Sequence, residues 1–224
     1  MNTDPFDIAE DGYVPDPERD LTIILEAFFE RIAVTLREND VPATLLTDMR
    51  RLHAELEAAS ADRVVDEPSR YNLRMTVALV AAYRLLQPRL GRAKSIEAVE
   101  IAFVEPLGDA VRESTRAILD GAPDPFRAMV ELAKSREEQA FGPTFTFEHP
   151  FDDERRYRSD VVRCFYHDVL VDHSVAELTP VMCEFDANWI AAIDPERHGF
   201  RFERSTTIGW GGTHCPFHWE RTDH

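Results

Sequence analysis

Phe200-Arg201-Phe202-Glu203-Arg204-Ser205-Thr206 and, beyond a glycine turn, Cys215-Pro216-Phe217-His218-Trp219 both alternate apolar with polar residues. A period of two marks a half-buried strand, because successive side chains point to opposite faces of a sheet. Phe200, Phe202, Arg204, Thr206 and Ile208 share one face of the first run, and Cys215, Phe217 and Trp219 share one of the second. These faces coincide only if an even number of residues connects the runs, and Gly209-Trp210-Gly211-Gly212 supplies four. The resulting register sets Thr206 opposite Cys215 and Arg204 opposite Phe217.

Working outward from this pair, Thr179-Pro180 reads as an N-cap residue followed by proline at the first helical position, opening a helix to about Ile193. Before it, a helix starting at Asp152 or Asp153 is expected to carry Val161, Cys164, Phe165 and Val169. Phe145-Thr146-Phe147-Glu148-His149 alternates again and reads as a further strand. The first half is different. Leu21, Ile24, Leu25, Phe28, Phe29 and Ile32 recur at helical spacing, a second helix runs from Pro42 to about Ser60, and Tyr71 to Leu86 is apolar on most sides, as a central bundle helix should be. Pro88 and Gly91 are expected to stop it. Helical stretches from Ser95 to about Leu119, and after Gly121-Ala122-Pro123 to near Glu138, complete the set. The fold class predicted is therefore α+β: a mostly helical N-terminal part packed on a C-terminal part in which two helices cover a small antiparallel sheet. In domain terms, residues 1–20 form a disordered acidic arm, residues 21–140 a helical region, and residues 141–224 an α+β region carrying the site, with one compact unit from residue 21 onward.

Composition narrows the partners. Twenty-five Lys and Arg against 42 Asp and Glu give a net charge of −17, which repels phosphate backbones and anionic lipid. Neither nucleic acid nor a membrane is expected as partner; a small-molecule substrate is, and a homo-oligomer stays open. With 3 cysteines, no recognisable signal peptide and no apolar run long enough to span a bilayer, free thiols in the cytoplasm are expected.

Residues with chemistry gather late: all 3 cysteines, all 3 tryptophans and six of the 8 histidines lie from Cys164 onward. Arg204 points into an aromatic face, where an unpaired guanidinium is costly, so it needs an anion. That anion is either an internal acid, Asp186 or Glu184, or a substrate carboxylate held bidentately. His214 and Cys215 look like a dyad, but strand alternation sends them to opposite faces. Cys215 then looks toward the covering helices, near Cys183 and His167, either as a nucleophile or as a small buried hydrophobe. Cys183, four positions past Thr179, is placed near the positive end of a helix dipole, which favours a thiolate, with Asp186 one turn on. The alternative is a cysteine packed in the core beside a solvated aspartate. Cys164 and His167 share a helix face, and Cys183, Asp186, His167 and His214 form a weaker metal-ligand alternative whose spacing matches no dense ligand pattern. His173, His198, His218 and His224 read as solvated. No glycine-rich phosphate loop, GxSxG elbow or HExxH helix occurs.

Four ordered blocks resemble the L-2-amino-thiazoline-4-carboxylic acid hydrolase family: Phe165-Tyr166-His167-Asp168, Glu177 to Asp186, Phe200 to Arg204, and Gly211-Gly212-Thr213-His214-Cys215-Pro216-Phe217. The resemblance covers roughly the last 75 residues and implies opening of a cyclic amidine bearing a carboxylate to an N-carbamoyl amino acid. Combined with the residue reading, it leads to a hydrolase of a non-peptide C–N bond that needs no cofactor. Cys183 is the expected nucleophile with Cys215 its competitor, His167 the acid/base with His214 beside it, and Asp186 the holder of the amidinium. Arg204 takes the carboxylate, with Glu184, Thr206 and Trp210 lining the substrate site. Two rivals stand beside this reading: a non-catalytic small-molecule binding or sensory domain, and a metal-dependent tailoring enzyme. The acidic arm and Trp210 within the glycine turn depart from the family pattern.

Overall fold

The computed structural model describes residues 17–222. The arm expected over residues 1–20 falls largely outside them, except that Pro17 already opens the first helix. Helix α1 (Pro17–Glu38), α2 (Thr44–Ala59), α3 (Glu67–Leu90), α4 (Arg92–Val104), α5 (Gly108–Gly121) and α6 (Pro125–Arg136) precede the first strand. The stretch expected as one helix from Ser95 is two, broken at Glu105-Pro106-Leu107, where proline removes a backbone donor. Helix α3 starts at a capping box in which the Asp66 carboxylate accepts from the Ser69 amide at 2.8 Å and the Ser69 hydroxyl accepts from the Asp66 amide at 3.0 Å. It runs through Pro88 and ends only at Gly91, whose φ of 80° ends the helical conformation. Leu73, Val77, Leu79, Val80, Tyr83 and Leu86 of α3 are fully enclosed, and α1, α2, α4 and α7 (Phe165–Asp172) all pack on this helix.

The C-terminal part holds a four-stranded antiparallel sheet of order β1-β2-β4-β3, with β1 Thr146–Asp152, β2 Arg156–Arg163, β3 Phe200–Glu203 and β4 Cys215–Arg221. Strand β2 corrects the helix expected from Asp152 or Asp153; helix α7 begins only after it. The β3–β4 register is Phe202 to Trp219 and Glu203 to His218, the register that parity demands. Pairing nevertheless stops at Glu203, so Arg204 to His214 form a longer connection that contains a short 3₁₀ turn at Ile208–Trp210. Cys215, Phe217 and Trp219, Tyr157, Ser159 and Val161, and Phe200 and Phe202 share one face of the sheet. This face carries the buried positions, with a stacked aromatic run of Tyr157, Trp219 and Trp189. The opposite face is polar, paired through Arg201 to Glu220 and His218 to Asp160. One apolar, one wet face is the usual pattern of an antiparallel sheet.

Three short helices lie between β2 and β3 beyond α7: α8 (Thr179–Glu184), α9 (Ala187–Ile190) and α10 (Pro195–His198). The single helix expected from Thr179 to Ile193 is thus two, separated at Phe185-Asp186. A π-turn at Glu137–Phe141 joins α6 to the sheet, and Glu137 there accepts from Tyr157 Oη at 3.0 Å and Ser159 Oγ at 2.6 Å while pairing with His149 Nε2 at 2.8 Å. The main apolar cluster is continuous from Leu21 in α1 through α3 and α7 to Cys215 in β4. No helix of the described residues is long and apolar enough to cross a membrane.

Candidate active site

Cys183 and Cys215 meet where α8 packs against the turn between β3 and β4. Two close approaches bring them there. A Cβ on Gly209 would lie 2.9 Å from the Pro180 nitrogen, 2.9 Å from the Thr179 carbonyl carbon and 3.1 Å from Cys183 Sγ, so only glycine lets the turn sit directly on the start of α8. The preceding residue, Ile208, donates its backbone N–H to Cys215 Sγ at 3.1 Å. The turn itself is closed by Gly211, at a φ of 83°, and by the Gly212 amide donating to the Thr207 carbonyl at 2.9 Å. Both thiols therefore abut consecutive residues of one glycine turn. They are unlinked by any disulfide.

A hydrogen bond from Cys215 lowers the Cys183 pKa to about 7, opposed by burial and assisted by the Thr207 hydroxyl and the Arg204 charge. The same hydrogen bond, with burial, raises Cys215. The two shifts run in opposite directions, which makes Cys183 the more acidic thiol of the pair. This cause differs from the expected one. Thr179 is not a cap: Leu178 occupies the cap position of α8, and the Thr179 hydroxyl instead meets His167 Nδ1 at 2.9 Å. Cys183 is the fifth residue of a six-residue helix and lies toward its C-terminal end, where the helix dipole opposes a thiolate.

Asp186 and Arg204 form the second half of the site. Arg204 Nη1 donates to Asp186 Oδ2 at 2.7 Å and to the Cys183 carbonyl at 3.2 Å, and the guanidinium carbon lies 5.6 Å from the Phe217 ring centre. Of the two anions expected for Arg204, the internal acid is present and is Asp186. Asp186 also accepts from Trp189 Nε1 at 3.0 Å, so both its oxygens are used within the protein. Burial raises the Asp186 carboxyl while Arg204 opposes the shift. Its side chain nevertheless keeps 29% of its accessible surface, against 12% for Arg204. Both hydrogen bonds of Arg204 use Nη1; its Nε and Nη2 edge has no hydrogen-bonding partner among the described residues.

A cavity of about 320 Å³ is lined by Glu184, Arg204, Ser205, Thr206, Thr207 and Trp210. That is at the small end of the range that small-molecule sites occupy. Trp210 is 64% exposed at its rim. Glu184, Arg204, Thr206 and Trp210 thus stand together, while His167 and His214 do not join them. His167 is engaged with Thr179, and His214 Nδ1 meets Thr213 Oγ1 at 3.1 Å. Cys164 is the cap residue of α7 rather than part of a helix face with His167, and burial pushes its thiol up to about 12. Among the described residues no three His, Cys, Asp or Glu side chains converge as a metal-holding group, so the four-residue metal alternative is not assembled. His198, expected to be solvated, is buried between the Asp194 amide and Asp120; His224 lies outside the described residues.

Thr207 was missed in the sequence. It is 2% exposed, its Oγ accepts from the Trp210 amide at 3.2 Å, and it lines the cavity described above. The available signal was its position two residues before Gly209, where a threonine closes a local turn.

The family model for L-2-amino-thiazoline-4-carboxylic acid hydrolase matches residues 71–219, which takes in most of α3, strands β1 to β3, most of β4, and both Cys183 and Cys215. The chain belongs to this family. Comparisons with curated proteins and with solved structures return no match. The family's match reaches back to Tyr71, well before the four C-terminal blocks that carried the resemblance, and so includes the helix on which α7 rests.

Proposed function

We propose that the protein opens a small cyclic amidine carrying a carboxylate, with Cys183 as nucleophile. The observation that carries this reading is the meeting of Cys183 and Cys215 at one glycine turn, next to a cavity walled by Arg204. The Cys183 thiolate adds to the amidine carbon, which is electrophilic between its heteroatoms and more so when protonated. Collapse expels the ring heteroatom, which takes a proton, and leaves an S-linked amidine on Cys183. Water adds to that carbon, and expulsion of the Cys183 thiolate completes the turnover. For a 2-aminothiazoline the N-carbamoyl product keeps both nitrogens on the carbon, so the ring bond broken is C–S. The C–N cleavage expected from sequence applies to a ring closed through nitrogen.

The contacts within the protein redistribute two roles. Asp186 is spent on Arg204 and Trp189 and acts as a positioning residue for the guanidinium, whose free Nε and Nη2 edge takes the substrate carboxylate. Glu184, in the cavity wall, is the carboxylate left to hold the amidinium. Cys215 serves as hydrogen-bond donor to Cys183. His167 stands one contact away, through Thr179, and His214 has no part in this scheme. The test is turnover of 2-amino-thiazoline-4-carboxylate with mass-spectrometric trapping. Cys183→Ser is expected to lose on the order of 10³ or more in kcat while its circular dichroism matches the parent, and the parent is expected to show an adduct on Cys183. Parental turnover by folded Cys183→Ser overturns the reading.

A further inference from the structure

Two of the 3 tryptophans are taken up by the fold. Trp219 stacks on Tyr157 with ring centres 5.6 Å apart, and Trp189 stacks on Trp219 at 6.2 Å and donates its Nε1–H to Asp186. Trp210 differs: it is 64% exposed, and its indole has no ring, cation or hydrogen-bonding partner among the described residues. Its backbone is nevertheless fixed. The Trp210 amide donates to the Thr207 hydroxyl at 3.2 Å and the Thr207 carbonyl at 3.0 Å, and the two glycines that follow donate to the Ile208 carbonyl at 3.1 Å and the Thr207 carbonyl at 2.9 Å. The turn therefore holds a large aromatic side chain at the rim of the Arg204 cavity without packing it into the core.

The cavity carries charge of both signs. Arg204 leaves its Nε and Nη2 edge unused, and Glu184, half-buried in the wall, has no hydrogen bond or ion pair with any described residue. The Arg204 guanidinium lies over Phe217 rather than Trp210, so the indole face is not taken by the cation of its own cavity. An unpaired carboxylate and an open indole lining one cavity suit a delocalised cation: the carboxylate attracts its charge, and the ring quadrupole, strongest in tryptophan, attracts it through the face. We propose that Trp210 is a specificity-determining residue: its indole, with Glu184, takes the cationic group of the substrate, so the site selects molecules that join a delocalised cation such as an amidinium to a carboxylate. The inference rests on the substrate reading above and extends it, making the charge of the ring rather than its size the selected property. A plain apolar wall would do the opposite and favour a neutral ring, which gives up less hydration on entering.

The experiment is isothermal titration of the full chain at neutral pH with two ligands of one shape: 2-amino-thiazoline-4-carboxylate, whose ring is cationic, and 2-oxo-thiazolidine-4-carboxylate, whose ring is neutral. Cys183→Ser serves as the background, so that the amidine is not consumed, and Trp210→Leu and Trp210→Phe are compared in it after circular dichroism has shown both folded. Trp210→Leu is expected to weaken the 2-amino ligand about fivefold, the scale of a solvent-exposed cation–π contact, and to leave the 2-oxo ligand within about twofold, with Trp210→Phe keeping part of the difference. Equal weakening of both ligands by Trp210→Leu overturns the inference, as does parental affinity for the amidine or the absence of binding by either ligand. Turnover separates this inference from the nucleophile. If Cys183→Ser is still active, the thiol reading falls, and the same comparison is read from KM and the competitive inhibition constant. If Cys183→Ser is inactive and Trp210→Leu shows no selectivity between the ligands, the nucleophile stands and Trp210 is removed from the site.

Discussion

At the scale of single residues, the site is governed by what each ionisable group has already spent its contacts on. Asp186 has none to spare, so its role passes through Arg204, and the consequence has a sign. The Asp186 carboxylate raises the Cys183 pKa while Arg204 lowers it. Asp186→Asn is therefore expected to move the Cys183 alkylation curve to lower pH, even as KM rises because the guanidinium is no longer held. Arg204→Met is expected to move the same curve to higher pH and to raise KM as well; identical curves in the two variants would show that neither charge is felt at the sulfur. Gly209→Ala places a methyl group within 2.9 Å of main-chain atoms of Thr179 and Pro180, which cannot swing aside. Its expected result is loss of turnover on the order of tenfold to a hundredfold with the overall fold retained, read by kinetics beside circular dichroism. The sequence already displayed Arg204 on an aromatic face in need of an anion, and separated His214 from Cys215 by parity. It could not display the contact of Thr179 with His167, because a threonine before proline has the local chemistry of a cap and only tertiary packing redirects its hydroxyl.

Among the elements, β2 shows where pattern reading fails. Tyr157, Ser159 and Val161 point inward at a period of two, but Ser159 is polar and is satisfied by Glu137 from a distant π-turn, so the apolar alternation is interrupted at its centre. The strand is legible only once its partner is known. By contrast β3 and β4 carry uninterrupted aromatic alternation, and their register follows from parity alone. Helix α6 offers a test of how elements are tied. Asp124 caps it by accepting from the Arg127 amide at 3.1 Å and also holds Arg221 of β4 at 2.6 Å. The Arg221 hydrogen bond keeps the Asp124 pKa below the usual carboxylate range. A depressed pKa contributes stability that is present above the unfolded value and lost as pH falls through the folded one. Asp124→Ala is expected to cost about 1 kcal/mol in urea denaturation at pH 7, mostly from the cap because both ion-pair partners are about a third exposed, and the cost should shrink below about pH 4. An equal cost at pH 3 would assign the whole effect to the backbone of the turn.

For the molecule as a whole, one apolar cluster runs from the N-terminal helices to the thiol-bearing strand, so helix packing and site integrity are linked. Leu79→Ala, at a position 1% exposed in α3, is expected to lower the unfolding free energy by about 2–5 kcal/mol in urea titration. A cost below 1 kcal/mol would mean that α3 is not the centre of the bundle. The net charge of −17 adds a distributed repulsion, and moderate salt should raise the melting temperature by screening it. Strand order carries the last consequence. Strand β4 lies between β2 and β3 and follows both in the chain, and β3 pairs with nothing else in the sheet. During synthesis, then, a nascent chain ending before Cys215 presents β3 without a partner and β2 with one edge open, and it lacks the Cys215 sulfur that meets the same turn as Cys183. Sheet closure and the meeting of Cys183 with Cys215 are the same event, and neither can occur until translation has passed through β4.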